Sequence, residues 1–272
     1  MKNVVLTGSE GTVGRVLTGR SLVENEQPRL SANITRVDIG EDKGGTNYPF
    51  LQSDLKDREL IKQLLQTHDV FIHAAWNTQE GILHPEVIDP ENLETARRIL
   101  ECAEELGERA TAKVVLLSSV NAHVPSNWRE RRASAHFIDI TEDPQPNQHN
   151  RGSEPGDGLT GYGQSKISIE NAARRSSEKG LHIVVPRLGG VNPRDLPSSQ
   201  HDTHQDIYAD PKRGKHFDAA PHGWEDATRL RHADLVSDLQ EIIDTPRAHS
   251  SFKIYNLVSD TPDRVHKLKS SK

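Results

Sequence analysis

The chain has 272 residues, a formal net charge of −6, a hydrophobic content of 33% and an aromatic content of 4%. This length suits one α/β domain with a large core, so we expect a single domain over residues 1–272. The negative net charge and the absence of a long basic run argue against nucleic acid as a partner. No apolar run reaches the ~20 residues of a membrane span, and the start does not resemble a secretory signal. The one cysteine, Cys102, fits a reducing, cytoplasmic setting.

The first predicted element is an apolar strand that leads directly into a glycine-rich turn. Its spacing is G-x-x-G-x-x-G, and a helical pattern follows to about residue 25. Gly8 allows the tight turn, Gly11 lets a pyrophosphate approach the backbone, and Gly14 lets the helix pack closely on the strand. Thr12 and Val13 open that helix, whose N-terminal amides are free to bind an anion. The pattern predicts a dinucleotide site, with an ordinary turn as the alternative.

A second predicted strand, over residues 34–39, ends in an acidic side chain. Asp38 lies at the distance from the glycine turn where a carboxylate accepts hydrogen bonds from an adenosine ribose. It therefore favours NAD over NADP, because the 2′-phosphate of NADP would meet a like charge there. The nearby Arg36 and Lys43 could partly offset this repulsion. The alternative is a loop carboxylate that caps a turn.

A third strand is followed by Asp54 and Leu55, where the carboxylate could receive the adenine amino group. Asp54 equally suits the N-cap of a helix predicted over residues 55–67. The two interpretations stay open at this point.

Tyr162 and Lys166 lie four residues apart in a predicted helix, so their side chains share one face. A phenol titrates near pH ~10, and a neighbouring ammonium group favours its phenolate form nearer neutrality. Upstream, the predicted strand 113–117 ends in Ser118 and Ser119, whose hydroxyls can donate to an oxyanion or accept from an alcohol. Together these residue types suit proton transfer coupled to hydride transfer.

In this order and spacing the motifs resemble the extended short-chain dehydrogenase/reductase family, the NAD-dependent epimerase/dehydratase group. The resemblance implies an α/β fold: a Rossmann-type, doubly wound parallel sheet with helices on both faces and a small C-terminal substrate-binding region. It places cofactor binding mainly in residues 1–180 and substrate binding mainly in 120–160 and 186–250. Further segments that carry it are His73-Ala74-Ala75, Pro186-Arg187-Leu188, Arg231-His232-Ala233-Asp234-Leu235 and Ile254-Tyr255-Asn256-Leu257.

The same resemblance implies the roles of the site residues. Ser119, rather than its neighbour Ser118, binds the reacting oxygen, and Tyr162 takes the proton of a substrate hydroxyl. Lys166 lowers the pKa of the tyrosine and binds the nicotinamide ribose, while hydride passes to NAD⁺. Asn92 either supports the site or simply lies near the start of a helix. The residues expected to bind the cofactor are Gly8, Gly11, Thr12, Val13, Gly14, Asp38, Asp54, Leu55, Ala74, Ala75, Tyr162 and Lys166.

Two features favour a small substrate. Residues 127–158 form a polar, proline- and glycine-containing insertion beside the site, and the part of the chain after Lys166 is short for a relative that acts on nucleotide sugars. Arginines in the insertion either pair with a substrate anion or are solvated. The segments 157–166 and 187–191 look similar to those of the compact uronate, aldose and sugar-phosphate dehydrogenases of the family, and this resemblance implies oxidation of a cyclic sugar at C1 to a lactone. The implied substrate-binding residues are Ser119, Asn121, His123, Arg187 and Arg194, with Arg187 also open to a structural role.

Two other functions remain open: a nucleotide-sugar epimerase or dehydratase with tightly bound NAD, and a non-catalytic dinucleotide sensor. No metal is expected, because the histidines are scattered and His201 and His204 lie in a polar loop. Relatives pair through the helices that correspond to Pro90–Leu106 and residues 162–179, which predicts a homodimer.

Overall fold

The computed structural model describes residues 1–20, 28–76, 90–119, 161–188, 190–191, 229–230, 232–248 and 250–257. The strands are β1 (Asn3–Thr7), β2 (Asn33–Asp38), β3 (Phe50–Gln52), β4 (Val70–His73), β5 (Lys113–Leu116), β6 (Ser118–Ser119), β7 (His182–Leu188), β8 (Gly190–Val191), β9 (Arg229–Leu230) and β10 (Ser251–Leu257). The helices are α1 (Thr12–Leu17), α2 (Arg58–Thr67), α3 (Pro90–Leu106), α4 (Gly161–Ser177) and α5 (His232–Asp244), and a 3₁₀ turn follows α3 at Gly107–Arg109.

Seven strands form a parallel sheet in the order β3-β2-β1-β4-β5-β7-β10, and β6 pairs with β7 beyond the end of β5. The strand β1 lies at the centre: Val4 is in register with Ile34 of β2 on one side and with Val70 of β4 on the other. The chain order reverses between β1 and β4, and open parallel sheets bind ligands at the carboxyl ends of the strands at such a point. The predicted Rossmann-type sheet is confirmed.

Successive side chains of each strand point to opposite faces of the sheet, so the core forms two layers, one on each face. On one face, Val5 and Phe71 pack with apolar side chains of α2, α3 and α4. On the other, Leu6 and Ile72 pack with apolar side chains of α1 and α5. Helices therefore cover both faces, as predicted. None of the described helices has the length and apolar character that a membrane span requires.

The helix α1 ends at Leu17, so its predicted extension to about residue 25 is wrong. Gly19 adopts a left-handed conformation with φ of 74°. Its amide donates to the Val16 carbonyl at 3.1 Å, and the Arg20 amide donates to the Arg15 carbonyl at 2.8 Å. This pair of bonds is the Schellman arrangement, which satisfies the last carbonyls and terminates the helix.

The helix α2 begins at Arg58 rather than at residue 55, because Asp57 is its N-cap. The Asp57 carboxylate accepts hydrogen bonds from the amides of Glu59 and Leu60 at 2.9 and 3.3 Å. The alternative of Asp54 as N-cap is therefore wrong. The division into cofactor-binding and substrate-binding parts stays a prediction, since most of 120–160 and 186–250 lies outside the described residues.

Candidate functional site

The glycine turn between β1 and α1 is packed so closely that two of its positions have no room for a side chain. A Cβ atom at Gly8, whose φ is 69°, would lie 2.5 Å from the Ala75 Cα atom. A Cβ atom at Gly14 would lie 2.3 Å from the Gly8 carbonyl oxygen and 2.6 Å from the Ser9 Cα atom. Both contacts are with backbone atoms that cannot move aside. Glycine at position 8 therefore lets the turn pack against the loop that follows β4, and glycine at position 14 lets α1 pack against the turn itself.

The first turn of α1 leaves amide donors that the helix itself cannot satisfy. Gly11 is the N-cap, with no side-chain cap, and its own amide donates to the Gly8 carbonyl at 3.1 Å. Thr12 and Val13 follow as the first helical residues, and their amides have no partner within a helix by geometry. Such donors at the carboxyl edge of a parallel sheet fit the pyrophosphate of a dinucleotide.

Asp38 ends β2 beside this turn, and its carboxylate is held there by two backbone amides. Its Oδ2 atom accepts from the Glu10 amide at 2.8 Å and its Oδ1 atom from the Gly40 amide at 3.0 Å. Each carboxylate oxygen keeps further capacity to accept, because each can take more than one donor. The position fits the ribose-binding role predicted for Asp38.

Arg36, which the sequence left open as a possible partner for a 2′-phosphate, is already engaged. Its guanidinium is 1% exposed; it contacts Asp42 through two hydrogen bonds of 2.7 and 2.8 Å and Glu10 at 3.1 Å. Arg36 holds the pKa of the Asp42 carboxyl at about 2. Glu10 also pairs with Arg20 at 2.7 Å, so Arg20 and Arg36 are both compensated by carboxylates. This network favours the predicted exclusion of NADP.

The loop after β4 meets the glycine turn through His73, Ala74 and Ala75. The Ala74 amide donates to the Thr7 carbonyl at 3.2 Å, and the Ala75 amide to the Thr7 hydroxyl at 3.5 Å. That hydroxyl also bonds the Nδ1 atom of His73 at 2.8 Å. Burial, and then the charge of Lys166, lowers the pKa of His73 to about 3, so the imidazole is neutral at pH 7. The Nε2 atom of His73 has no hydrogen-bond partner among the described residues.

Asp54 and Leu55 follow β3 at the same edge of the sheet. The Asp54 carboxylate accepts from the Lys56 amide at 3.1 Å and pairs with the Lys56 ammonium at 3.2 Å, in an exposed position. Leu55 is 3% exposed and has a φ of 58°, which costs a non-glycine residue of the order of 1–3 kcal/mol. Its side chain lies in the core, so only its backbone could line the predicted adenine site.

Lys166 lies in α4 with its side chain almost wholly buried, at 3% exposure. Its Nζ atom donates to the Leu117 carbonyl at 2.8 Å and lies 3.4 Å from the centroid of the Trp76 ring. Burial lowers the pKa of Lys166 to about 7, against the opposing effect of the Glu170 carboxylate. A cation so placed can act on a neighbouring phenol. Trp76, directly after His73-Ala74-Ala75, is a site residue that the sequence reasoning missed.

The proton-handling residues predicted from sequence lie on two adjoining elements. Tyr162 lies in the first turn of α4, one turn before Lys166, and its side chain is outside the described residues. Ser119 is 7% exposed in β6, in register with Leu188 of β7. Its rival Ser118 donates a 2.6 Å hydrogen bond to Glu170, which gives that hydroxyl a structural partner. Asn92 is buried in the first turn of α3. The roles of these residues stay predictions.

Arg187 fits the structural alternative rather than the substrate-binding one. It is 0% exposed, and its Nε and Nη2 atoms bind the two oxygens of Glu170 at 2.8 and 2.6 Å. Its charge is therefore compensated by a buried carboxylate instead of a ligand. The other predicted substrate residues, Asn121, His123 and Arg194, lie outside the described residues, as do the insertion 127–158 and the histidines at 201 and 204.

The chain matches a protein-family model and one curated relative. The model described as NAD dependent epimerase/dehydratase family matches residues 4–204. A UDP-glucose 4-epimerase from Neisseria meningitidis serogroup C is 25% identical over 179 residues, which cover 62% of this chain and 47% of the relative. The chain thus spans about half the length of the curated relative that it matches.

Several solved structures share the fold. A uronate dehydrogenase from Agrobacterium tumefaciens is 18% identical with a TM-score of 0.54, covering 99% of this chain and 83% of that one. A glucuronic acid dehydrogenase from Chromohalobacter salexigens is 18% identical with a TM-score of 0.56, covering 96% and 78%. The UDP-glucose 4-epimerase from Thermus thermophilus, solved as a complex with NAD, is 16% identical with a TM-score of 0.56, covering 95% and 78%. At these low sequence identities, the similarity shows that the fold is shared.

We expect Gly14→Ala to abolish NADH binding and to destabilise the protein. Alanine is intrinsically favoured over glycine inside a helix by about 1 kcal/mol, yet here its methyl group would overlap the Gly8 carbonyl. Titration of NADH fluorescence and urea unfolding measure the two effects. Gly107→Ala is the control for NADH binding, because no atom lies within 4 Å of an added Cβ there; its positive φ of 56° makes some loss of stability expected in this variant as well. Unchanged NADH affinity in Gly14→Ala would contradict the close packing of the turn.

Lys166→Met should change how stability depends on pH. The pKa of Lys166 is about 7 in the folded protein and ordinarily 10.5, so between these values the unfolded chain binds the extra proton. The stability of the wild type relative to Lys166→Met should therefore rise with pH across this window, by at most about 1.4 kcal/mol per pH unit. Urea unfolding at several pH values between about 7 and about 10 measures it.

The control for this experiment is Lys179→Met, because Lys179 is 61% exposed just beyond the end of α4. Its stability difference from the wild type should stay nearly flat over the same range. A flat difference for Lys166→Met as well would mean that the Lys166 ammonium is not buried in solution.

Proposed function

Because the chain belongs to the NAD-dependent epimerase/dehydratase family, we propose that it is an NAD-dependent oxidoreductase that oxidises a small cyclic sugar at C1 to a lactone. The family resemblance inferred from the sequence is confirmed by this membership, and so is NAD as the cofactor, since the family is NAD-dependent by description. The substrate would be an aldose, a uronic acid or a sugar phosphate.

The observation that carries the proposal is the contact between Lys166 and the segment that leads into Ser119. The Lys166 ammonium binds the Leu117 carbonyl at 2.8 Å, two residues before Ser119. The same ammonium lies 3.4 Å from the centroid of the Trp76 ring, which directly follows the residues after β4 that pack against the glycine turn. A buried cation, a strand-end serine and a dinucleotide-type turn thus meet at one edge of the sheet.

In this reaction each residue has a defined task. The Tyr162 phenolate takes the proton from the C1 hydroxyl of the sugar, and the Ser119 hydroxyl donates to the same oxygen. Lys166 stabilises the phenolate by its charge and offers its remaining donors to the nicotinamide ribose. The Asp38 carboxylate binds the adenosine ribose, and the amides at the start of α1 bind the pyrophosphate. NAD⁺, when bound, supplies the acceptor for the hydride that leaves C1.

The preference for a small sugar is supported by the polar insertion 127–158 that precedes Tyr162 and by the solved relatives. Uronate and glucuronic acid dehydrogenases are among the structures with the same fold. An anionic group on the sugar would be bound by side chains outside the described residues, for which Arg194 is the candidate, since Arg187 is paired with Glu170. Asn121 and His123 remain candidates for contacts with the sugar hydroxyls.

The second candidate function is a nucleotide-sugar epimerase or dehydratase that returns the hydride to its substrate. The similarity to the Neisseria UDP-glucose 4-epimerase favours it. Such an enzyme uses the same tyrosine and lysine but keeps its NAD tightly bound. A non-catalytic sensor is the weakest candidate, because it would not need Ser119, Tyr162 and Lys166 together. The homodimer, the cytoplasmic location and the absence of nucleic-acid or membrane partners also remain predictions.

A substrate panel distinguishes these functions. The purified protein is mixed with NAD⁺ and, one at a time, with free aldoses, uronic acids, sugar phosphates and UDP-sugars, and NADH absorbance is followed. We expect net NADH formation with one class of free sugar and little with NADP⁺. No net NADH, together with co-purified NAD and an epimerised UDP-sugar, would replace the proposal with the second candidate. NAD binding without turnover on any substrate would favour the sensor.

Tyr162→Phe should reduce kcat by about 10²- to 10⁴-fold, because the variant loses the general base. NADH affinity should change little, since the phenol oxygen acts on the substrate. Steady-state kinetics with the sugar identified by the panel and titration of NADH fluorescence measure the two quantities. Tyr255→Phe is the control, because Tyr255 lies in the last strand of the sheet. An equal loss of turnover and of NADH affinity in Tyr162→Phe would contradict the assigned role.

A further inference from the structure

Three buried polar side chains from three different elements meet behind the predicted catalytic residues. They are Glu170 of α4, Ser118 of β6 and Arg187 of β7, with exposures of 1%, 3% and 0%. The Glu170 Oε1 atom accepts from the Ser118 hydroxyl at 2.6 Å and from the Arg187 Nε atom at 2.8 Å, and its Oε2 atom accepts from the Arg187 Nη2 atom at 2.6 Å. We call these residues the Glu170 cluster.

The cluster lies directly beside the residues expected to carry out proton transfer. Tyr162, Lys166 and Glu170 follow one another at intervals of four along α4, so they lie on one face of the helix. Ser118 is the chain neighbour of Ser119, and Arg187 is in register with Ser118 across the sheet. The Lys166 ammonium binds the Leu117 carbonyl, so α4 is attached to the segment 117–118 at two points that are one helical turn apart.

We propose, on the basis of the proposed function, that Glu170 is a positioning residue for the reaction. Through Ser118 and Arg187 it fixes the α4 face that carries Tyr162 and Lys166 against the strand that carries Ser119. The base and the oxygen-binding serine lie on separate elements, and a displacement of about 1 Å between such groups can cost about 10²-fold in rate. Two buried attachment points determine both the distance and the rotation of the helix relative to the strand.

The position of the cluster also has an electrostatic consequence. Burial lowers the pKa of Lys166, and the Glu170 carboxylate opposes this effect. From the other described elements Lys166 faces uncharged groups: the neutral imidazole of His73 from β4, the Trp76 ring and the Leu117 carbonyl. Arg187 faces Glu170 from β7. Glu170 thereby keeps Lys166 charged over a wider pH range, and this charge favours the Tyr162 phenolate.

The test replaces the buried ion pair by apolar side chains of similar size. Glu170→Met combined with Arg187→Met removes both charges, which in buried pairs is often neutral for stability, whereas removing one partner leaves an uncompensated charge. We expect kcat to fall by about 10- to 100-fold with the KM for the sugar within about threefold. Glu170→Gln combined with Arg187→Met restores an acceptor for the Ser118 hydroxyl and should recover part of the loss. The control pair is Glu104→Met with Lys179→Met, which removes an exposed 2.6 Å ion pair between α3 and the residues just after α4.

A second measurement does not depend on turnover or on bound cofactor. The phenolate absorbance of Tyr162 is followed against pH as the difference between each protein and the same protein carrying Tyr162→Phe. Tyr162 and Lys166 titrate as a coupled pair, so in the wild type we expect phenolate to form below the ordinary value near pH ~10, and in Glu170→Met/Arg187→Met we expect its midpoint to shift upward. If that double variant does not fold, Ser118→Ala, which removes one hydrogen bond to Glu170, is titrated in its place and should shift the midpoint in the same direction.

A folded double variant whose kcat and Tyr162 midpoint equal those of the wild type would overturn the inference. A Tyr162 midpoint near pH ~10 in the wild type would also overturn the inference, because neither Glu170 nor Lys166 would then be acting on the tyrosine. If the wild type oxidises no sugar on the panel, the proposed function fails by itself, while the midpoints still decide the role of Glu170.

Discussion

A lysine ammonium can stay charged inside a protein only where other groups replace the water that it loses. At Lys166 these groups are a backbone carbonyl, an aromatic face and a carboxylate one helical turn away. Each comes from a different part of the chain: the end of β5, the loop after β4 and α4 itself. The arrangement therefore exists only when α4 is docked on the sheet. The site and the packing of this helix depend on the same buried charge.

Much of the fold and part of the candidate site could be predicted from local patterns in the sequence. The glycine turn directly after a buried strand, and the acidic residue at the end of the next strand, have local causes, because backbone conformation and strand order decide them. The structure places Gly8, Gly14 and Asp38 beside one another, as the spacing indicated. The length of α1 could not be predicted from the sequence pattern. The left-handed Gly19 ends the helix, although the apolar pattern continues beyond it.

Contacts between distant residues were beyond the reach of the sequence. Glu170 and Arg187 are 17 residues apart, on two different elements, and neither stands out in its own segment. Arg187 was open to two interpretations because a lone arginine after an apolar strand fits a substrate anion as well as a buried partner. Only the docking of the helix on the sheet decides between them. Asp57 was overlooked in favour of Asp54 for a similar reason: both precede the helix, and only the turn at Leu55 shows which one reaches the helical amides.

The carboxylate of Glu10 links cofactor preference to folding stability. It lies within the glycine turn with a side chain that is 5% exposed, and it forms ion pairs with two buried arginines, Arg20 and Arg36. An enzyme of this kind that evolved to accept a phosphorylated ribose would need one of these guanidinium groups back. Freeing it would break one of the buried ion pairs of Glu10, and breaking a buried ion pair destabilises a protein. A change of cofactor preference would therefore also require changes among the buried side chains beside the turn.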